Sequence, residues 1–270
     1  MKKKISAPLG KIRILCVLNP MKPKALQVAT RLIHEEVVGD MEMVVSRSFP
    51  PTDEQIRSCD GLLTLGGDGT LLGMVSRAHQ HRKWLGGINC GQLGFLSAFT
   101  PESFLDAFNP SSPKSFFWEK RGLICVCANG FPALVVLNDV VVKSADQRMI
   151  TLELCLGRGI KIKNLRCDGI LFSTPTGSTA YNFSANGPMV ESTTRAWIAT
   201  PICSHSSLHR SLILDEKTVV RVRGDSPVEI FTDGVRTDWK LPLELSFGET
   251  LDLLLPEDYH SFRIFRRKRI

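Results

Sequence analysis

The chain has 270 residues, 43% hydrophobic and 23% charged, which is enough apolar material for a full core in two domains and too little charge for wholesale disorder. No apolar run approaches the roughly 18 residues of a membrane helix, and no apolar signal core follows the basic start at Met1 to Gly10, so neither a membrane span nor a secretory leader is expected. The net charge of +7 sits at the ends, on Lys2, Lys3, Lys4, Lys11 and Arg13 and on Arg263, Arg266, Arg267, Lys268 and Arg269; the body between them sums to −3, which speaks for solvated basic tails and against a nucleic-acid surface.

In chain order, Lys11 to Leu18 (KIRILCVL) reads as a buried strand and Pro23 to Val38 as a helix. Met41 to Ser46 and Gly61 to Leu65 read as strands, Thr70 to His79 as a helix and Trp84 to Asn89 as a strand. Strand and helix in alternation predict right-handed βαβ units around a parallel sheet. Beyond a turn-rich stretch after Gly91, Pro101 to Phe108 reads as a short helix and Asn109 to Pro113 (NPSSP) as a joint.

From Ser115 onward the texture is different. Apolar and β-branched runs recur at Leu123 to Ala128, Ala133 to Val142, Ile150 to Leu156, Ile170 to Ser173, Ile198 to Pro201, Thr218 to Arg223, Val228 to Thr232, Leu243 to Phe247 and Thr250 to Leu255. They predict an antiparallel β domain, with Ser178 to Ala185 as its one helical stretch. The expected fold class is therefore an α/β N-terminal domain with a parallel sheet, over 1–110, and an all-β C-terminal domain over 111–255, with a tail at 256–270.

The eight cysteines form no C-x-x-C pair and mostly fall in apolar runs, so neither zinc nor a disulfide framework is expected and a reducing cytoplasm fits. His205 and His209 share helical spacing in a stretch with little helical character, so metal ligation is the minority reading. The sequon at Asn182 to Ser184 carries no meaning in a cytosolic protein.

The sharpest local signal is Leu62 to Leu72, LLTLGGDGTLL. Gly66, Gly67 and Gly69 around Asp68 let a strand turn tightly and expose backbone N–H groups, and a helix starting at Thr70 adds its positive dipole end, which together suit a phosphate. Asp68 repels phosphate, so it makes sense as the base for an attacking hydroxyl or as a ligand of phosphate-bound Mg²⁺. The loop is neither a Walker A nor a G-x-G-x-x-G fingerprint, and by itself it is also compatible with a plain strand-to-helix turn capped by Thr70.

Asp168 to Gly187, DGILFSTPTGSTAYNFSANG, runs a strand into a turn of small and hydroxyl residues. A flat base can lie against such a backbone; equally, the turn can be merely polar, with Tyr181 in the core. In Val135 to Val142, VVLNDVVV, the pair Asn138-Asp139 interrupts an apolar strand and needs partners, either the backbone of a bulge or a ribose diol.

In this order and spacing, GGDGT, Leu-Asn-Asp and Asp-Gly-(x)₄-Thr-Pro-Thr-Gly-Ser-Thr-Ala-Tyr resemble the NAD kinase family, over about Gly61 to Leu255 and less distinctly back to Lys11. Thr200 to His205 (TPICSH) resembles the family's lining of the nicotinamide side, and the short segment before the first strand is like that of bacterial members. The resemblance implies transfer of the γ-phosphate of ATP, with a divalent cation such as Mg²⁺, to the adenosine-ribose 2′-hydroxyl of NAD, which would lie between the two domains. It implies Asp68 as the catalytic aspartate, with Gly66, Gly67, Gly69 and Thr70 around it; no side-chain metal site is expected.

By the same resemblance Asn138 contacts adenine or ribose, Asp139 is the acidic ribose ligand, and Thr179, Ala180 and Ser184 line the adenine pocket with Tyr181 as the aromatic of the site. Arg148, Arg166, Asp168 and Cys203 fall where the family places contacts, some of them from a neighbouring subunit, so a homodimer or homotetramer is implied. The tail after Leu255 would pack back on the first domain. The sequence departs from the pattern at Asp139, where glutamate is usual and reaches about 1.5 Å further, at Gly73 for a basic residue and at Val235 for glutamine. The competing readings are a lipid kinase with the same GGDGT loop and a dinucleotide sensor without catalysis.

Overall fold

The computed structural model describes residues 3–4, 12–34, 41–46, 48–91, 94–108 and 116–262. In chain order the elements are β1 (Lys3–Lys4), β2 (Ile12–Leu18), α1 (Pro23–His34), β3 (Met41–Val45), α2 (Asp53–Arg57), β4 (Gly61–Gly66), α3 (Asp68–Leu72), α4 (Val75–Gln80), β5 (Trp84–Asn89) and α5 (Pro101–Phe108). There follow β6 (Phe116–Ala128), β7 (Leu134–Val136), β8 (Asp139–Ser144), β9 (Ile150–Leu156), β10 (Ile160–Cys167), β11 (Gly169–Ser173), α6 (Tyr181–Ser184), β12 (Ala196–Ile202), β13 (Leu212–Asp215), β14 (Val220–Arg223), β15 (Val228–Thr232), β16 (Val235–Thr237) and β17 (Leu243–Pro256). Two compact units result, Met1–Lys120 with Leu251–Ile270, and Arg121–Thr250. The chain leaves the first unit within β6 and re-enters it within β17. The expected joint at Asn109 to Pro113 lies outside the described residues.

In the first unit β3, β2, β4, β5 and the end of β17 lie side by side in that order, every pair parallel. All six residues of β4 (GLLTLG) are buried, as expected of an inner parallel strand whose faces are both covered. Helix α1 lays Ala25, Ala29 and Leu32 on the core, the spacing of one helical face. Phe99 and Phe104 meet edge to face at 5.5 Å in the same cluster.

Two local departures from expectation have clear causes. The helix foreseen over Thr70 to His79 is divided in two, because Gly73 caps the end of α3 and Met74 the start of α4. Helix α2 is too short to show a periodic pattern, but it carries a capping box in which Thr52 and Gln55 satisfy each other's backbone N–H.

The strand order places the site. From β2 the chain steps to β3 on one side and then to β4 and β5 on the other, so the order reverses between β2 and β4. Open parallel sheets bind ligands at the carboxyl ends of strands at such a switch point. Asn19 follows β2 there, and Gly67-Asp68 follows β4.

The second unit carries an antiparallel sheet in the order β13, β12, β11, β8, β15, β16, and against it strands β9, β10 and β14 with the first half of β17. Alternate residues of both sets fill one core: Leu152 and Leu154 of β9, Val220 and Val222 of β14, Val140 and Val142 of β8, Ile170 and Phe172 of β11, and Trp197 of β12. The run foreseen over Ala133 to Val142 is two strands, β7 and β8, parted at Leu137-Asn138. Asn182, the sequon asparagine, is fully buried. Its side chain donates to the carbonyls of Ser178 and Pro188 and accepts from Thr200 Oγ1 at 2.7 Å.

Candidate active site

The GGDGT loop is pinned across the switch point. Asn19 Nδ2 donates to Thr70 Oγ1 at 3.0 Å, and the Asn19 N–H donates to the Leu65 carbonyl at 3.2 Å. Thr70 is buried and its hydroxyl lies where a Cβ on Gly66 would stand, 2.3 Å away, so that glycine is required by packing. The helix begins at Asp68 with Gly67 as its cap, so Thr70 serves as an anchor inside α3 and does not cap it. Gly67 and Gly69 are different from Gly66. A Cβ on either would meet nothing within 4 Å, so the free protein has room for side chains there.

Asp68 does not stand clear in the loop. Its carboxylate accepts the N–H of Phe95 at 2.7 Å on Oδ2, and those of Leu96 and Ser97 at 3.0 and 2.8 Å on Oδ1. Charge-assisted bonds of this kind hold a side chain firmly, and three of them occupy most of the roughly four acceptor positions of a carboxylate. The cradle depends on Gly94, where a Cβ would come 2.1 Å from Asp68 Oδ1. Tyr259 braces the cradle by donating its hydroxyl to the Phe95 carbonyl at 3.1 Å. The sequence shows only a turn-rich stretch here.

In the second unit two of the sequence motifs interlock. Thr174 donates its N–H to the Asn138 carbonyl at 2.9 Å and its hydroxyl to the Leu137 carbonyl, and accepts the N–H of Gly177 at 3.0 Å. Gly177 lies so close to Asn138 that a Cβ would stand 2.1 Å from its carbonyl oxygen. Buried Arg121 donates to Thr176 at 3.3 Å. The turn of small residues is thus fastened to the backbone of the Asn138-Asp139 pair. Thr179 and Ala180 are half-buried, while Tyr181 is 43% exposed and so does not belong to the core.

The backbone of that pair is satisfied by a residue the motif reading passed over. Asp233 accepts the N–H of Leu137 at 2.9 Å, of Asn138 at 2.7 Å and of Asp139 at 3.1 Å. Among the described residues, neither the Asn138 amide nor the Asp139 carboxylate makes a hydrogen bond. Their side chains are therefore not spent on a bulge. Burial pushes the Asp139 carboxyl up to about 7, with the charge of Asp233 adding to the effect. Burial also raises Asp233, to about 6, against the lowering pull of its three N–H donors.

Arg166, Asp168 and Cys203 gather at the opposite end of β11, about 17 Å away by the rise of a strand. Cys203 is held at φ +47° with its thiol hydrogen-bonded to Asp168, which raises the thiol above its ordinary range. The N–H of Arg166 donates to Ser206 Oγ at 2.6 Å, and its side chain is exposed. Arg148 is exposed on the β8–β9 connection, 3.9 Å from Asp146. Ser184 is exposed at the end of α6. The residues 203–211, with His205 and His209, form no helix, so those histidines share no helical face.

Two family models match the chain: the ATP-NAD kinase N-terminal domain over residues 36–110 and the ATP-NAD kinase C-terminal domain over residues 137–246. The NAD kinase of Chlorobium luteolum is 31% identical over 223 residues, 78% of each chain. The chain belongs to the NAD kinase family. The NAD kinase of Caldicellulosiruptor bescii is 34% identical over 219 residues, 80% of each chain. Among solved structures, yeast NADH kinase complexed with NADH matches with a TM-score of 0.76 and 22% identity, over 98% of this chain and 92% of that one. An NAD kinase from Archaeoglobus fulgidus in complex with ATP matches with a TM-score of 0.72 and 23% identity, over 95% of this chain and 98% of that one. At those identities the structures bear on the fold, and they share the α/β and β-rich architecture of NAD kinases. No described helix is long and apolar enough to cross a membrane.

Proposed function

We infer that this NAD kinase family member transfers the γ-phosphate of ATP to the adenosine-ribose 2′-hydroxyl of NAD, giving NADP and ADP. The observation that carries the reading is the Asn138-Asp139 pair, whose backbone is fully engaged and whose side chains keep their hydrogen bonds for a ligand. The turn Thr174 to Ala180 fastened to it offers half-buried Thr179 and Ala180 to an adenine, with exposed Tyr181 and Ser184 beside them. Family membership favours a dinucleotide over a lipid, and the relatives carry the name of a kinase and not of a sensor.

In the first unit, Gly67 and Gly69 leave space where phosphates can approach the backbone, beside the firmly held Asp68. Phosphoryl transfer passes through a loose transition state in which positioning does most of the work. Asp68 orients the 2′-hydroxyl and takes its proton as the O2′–Pγ bond forms and the bond from Pγ to the ADP oxygen breaks. A Mg²⁺ ion carried by the triphosphate would keep several of its waters and need few protein ligands. When bound, it neutralises phosphate charge.

Two groups of residues at opposite ends of β11 fit a homo-oligomer in which Arg166, Asp168 and Cys203, with Arg148, serve the ligand of a neighbouring subunit. The Tyr259–Phe95 bond supports a tail that packs on the first unit. Eight free cysteines suit a reducing cytoplasm. The test is an assay of purified protein with Mg²⁺ and ATP against NAD and diacylglycerol, wild type beside Asp68→Asn. NADP should form, no lipid phosphate should appear, and the variant should lose about 10²–10⁴ in kcat, the usual worth of a general base. Lipid phosphorylation without NADP would overturn the reading.

A further inference from the structure

Asp233 lies in the two-residue turn Thr232-Asp233-Gly234-Val235 that joins β15 to β16. Asp233 and Gly234 have φ of +47° and +79°, the pattern of a type I′ hairpin, for which Asp-Gly is a favoured pair. Turn formation needs only the two backbones. It does not explain why the aspartate carboxylate points inward and collects the three consecutive N–H groups of residues 137–139 from another strand connection. The turn backbone is itself tied in, since the Asp233 N–H donates to the Asp139 carbonyl at 2.9 Å.

Three successive N–H groups can converge on one carboxylate only where the chain leaves ladder geometry, and that departure occurs where β7 gives way to β8. The Asn138 and Asp139 carbonyls are also committed, to Thr174 and Asp233. Every backbone group that sets the direction of these two side chains is held by Asp233 or by the turn after β11. The Asp233 carboxylate itself is spent on this backbone, with bonds at both of its oxygens.

We propose that Asp233 is a positioning residue for the dinucleotide: its carboxylate fixes the 137–139 backbone and so aims the Asn138 and Asp139 side chains at the adenosine. This rests on the reading that Asn138 contacts NAD, and the experiment separates the two ideas. Asp233→Asn keeps the size of the side chain but turns an NH₂ toward one of the three N–H donors. Initial rates with NAD varied at saturating ATP, melting temperature and calorimetric NAD binding would be measured for wild type, Asp233→Asn, Asn138→Ala and the double variant.

The expected result for Asp233→Asn is a rise of about tenfold or more in KM and Kd for NAD, with kcat within about threefold and KM for ATP unchanged. The loss of NAD affinity in the double variant should be clearly smaller than the two single losses combined, since Asp233 acts in part through residue 138. If Asp233→Asn does not fold, Asp233→Glu, which keeps the charge but displaces it by a methylene, should show the same split on a smaller scale. A folded variant with lowered melting temperature and wild-type KM for NAD makes the residue structural only and overturns the proposal. Additive effects in the double variant do so too. A wild-type KM in Asn138→Ala removes the site reading beneath it, and wild-type protein that makes no NADP removes the kinase reading.

Discussion

Asp68 and Asp233 solve the same problem in opposite senses. Each carboxylate accepts three backbone N–H groups, but Asp68 sits beside glycines with open space, whereas Asp233 lies behind a polar pair. Asp139 is the residue left exposed to the consequence. It is buried, close to another carboxylate and without a hydrogen bond to its own carboxylate among the described residues. Its pKa of about 7 lies above the ordinary value of 3.8, so between about pH 4 and 7 the folded state holds a proton that the unfolded chain releases. The contribution to stability is therefore fully present below about pH 4 and is lost as the pH rises through 7. Asparagine cannot ionise, so Asp139→Asn should raise the melting temperature relative to wild type more at pH 8 than at pH 4.5, with an upper bound on the order of 4 kcal/mol. Melting curves across that range check it; a difference independent of pH would show that Asp139 titrates normally.

At the scale of elements, the loop after β4 and the stretch before α5 act as one device, and their glycines should divide by role. Gly69 lies within α3 with open space around its Cβ position, so Gly69→Ala should leave the melting temperature unchanged or slightly raised, by the roughly 0.5–1 kcal/mol that alanine gains over glycine in a helix. Activity should nevertheless fall at least tenfold, because the methyl fills the space assigned to a phosphate or ribose. Gly94→Ala should lower both melting temperature and kcat, because its methyl would overlap Asp68 Oδ1. Thermal melts beside rates settle the pair, and full activity in Gly69→Ala would mean that nothing binds there. The glycine loop itself was legible in the sequence because a tight turn between apolar runs is a local signal. So were the inner strands of both units, whose burial shows as continuous or alternating apolar residues. Strand β10 was not, because IKIKNLRC lies at a sheet edge with most of its side chains in solvent. The N–H cradle of residues 95–97 and the grip of Asp233 on 137–139 were hidden for a different reason. They join positions 27 to 29 and 94 to 96 residues apart, and nothing in the local pattern of either partner announces the other.

The whole molecule assigns different work to two units that each bury their own core. The parallel sheet of the first brings Asn19, Asp68 and Tyr259 into one hydrogen-bonded arrangement with residues 95–97, and the antiparallel unit does the same for the turns around Asn138, Thr174 and Asp233. If the first arrangement answers to the donor phosphates and the second to the adenosine of NAD, the two substrates should leave separate marks on backbone protection. Hydrogen exchange measured with NAD alone should slow at 137–139, 174–184 and 232–234. Exchange with ATP and Mg²⁺ alone should slow at 66–70 and 94–97. At a ligand concentration a hundred times Kd, openings that require release are suppressed by up to about a hundredfold, the factor that corresponds to roughly 2.7 kcal/mol. Amides of β9 and β14, which take part in none of the hydrogen bonds of either arrangement, serve as the control and should change little. Protection by NAD that spares 174–184, or by ATP that spares 66–70, would mean that the motifs shape the fold without touching the substrates. Equal protection of all segments by either ligand would mean general tightening of the molecule, and the division of labour between the units would have to be given up.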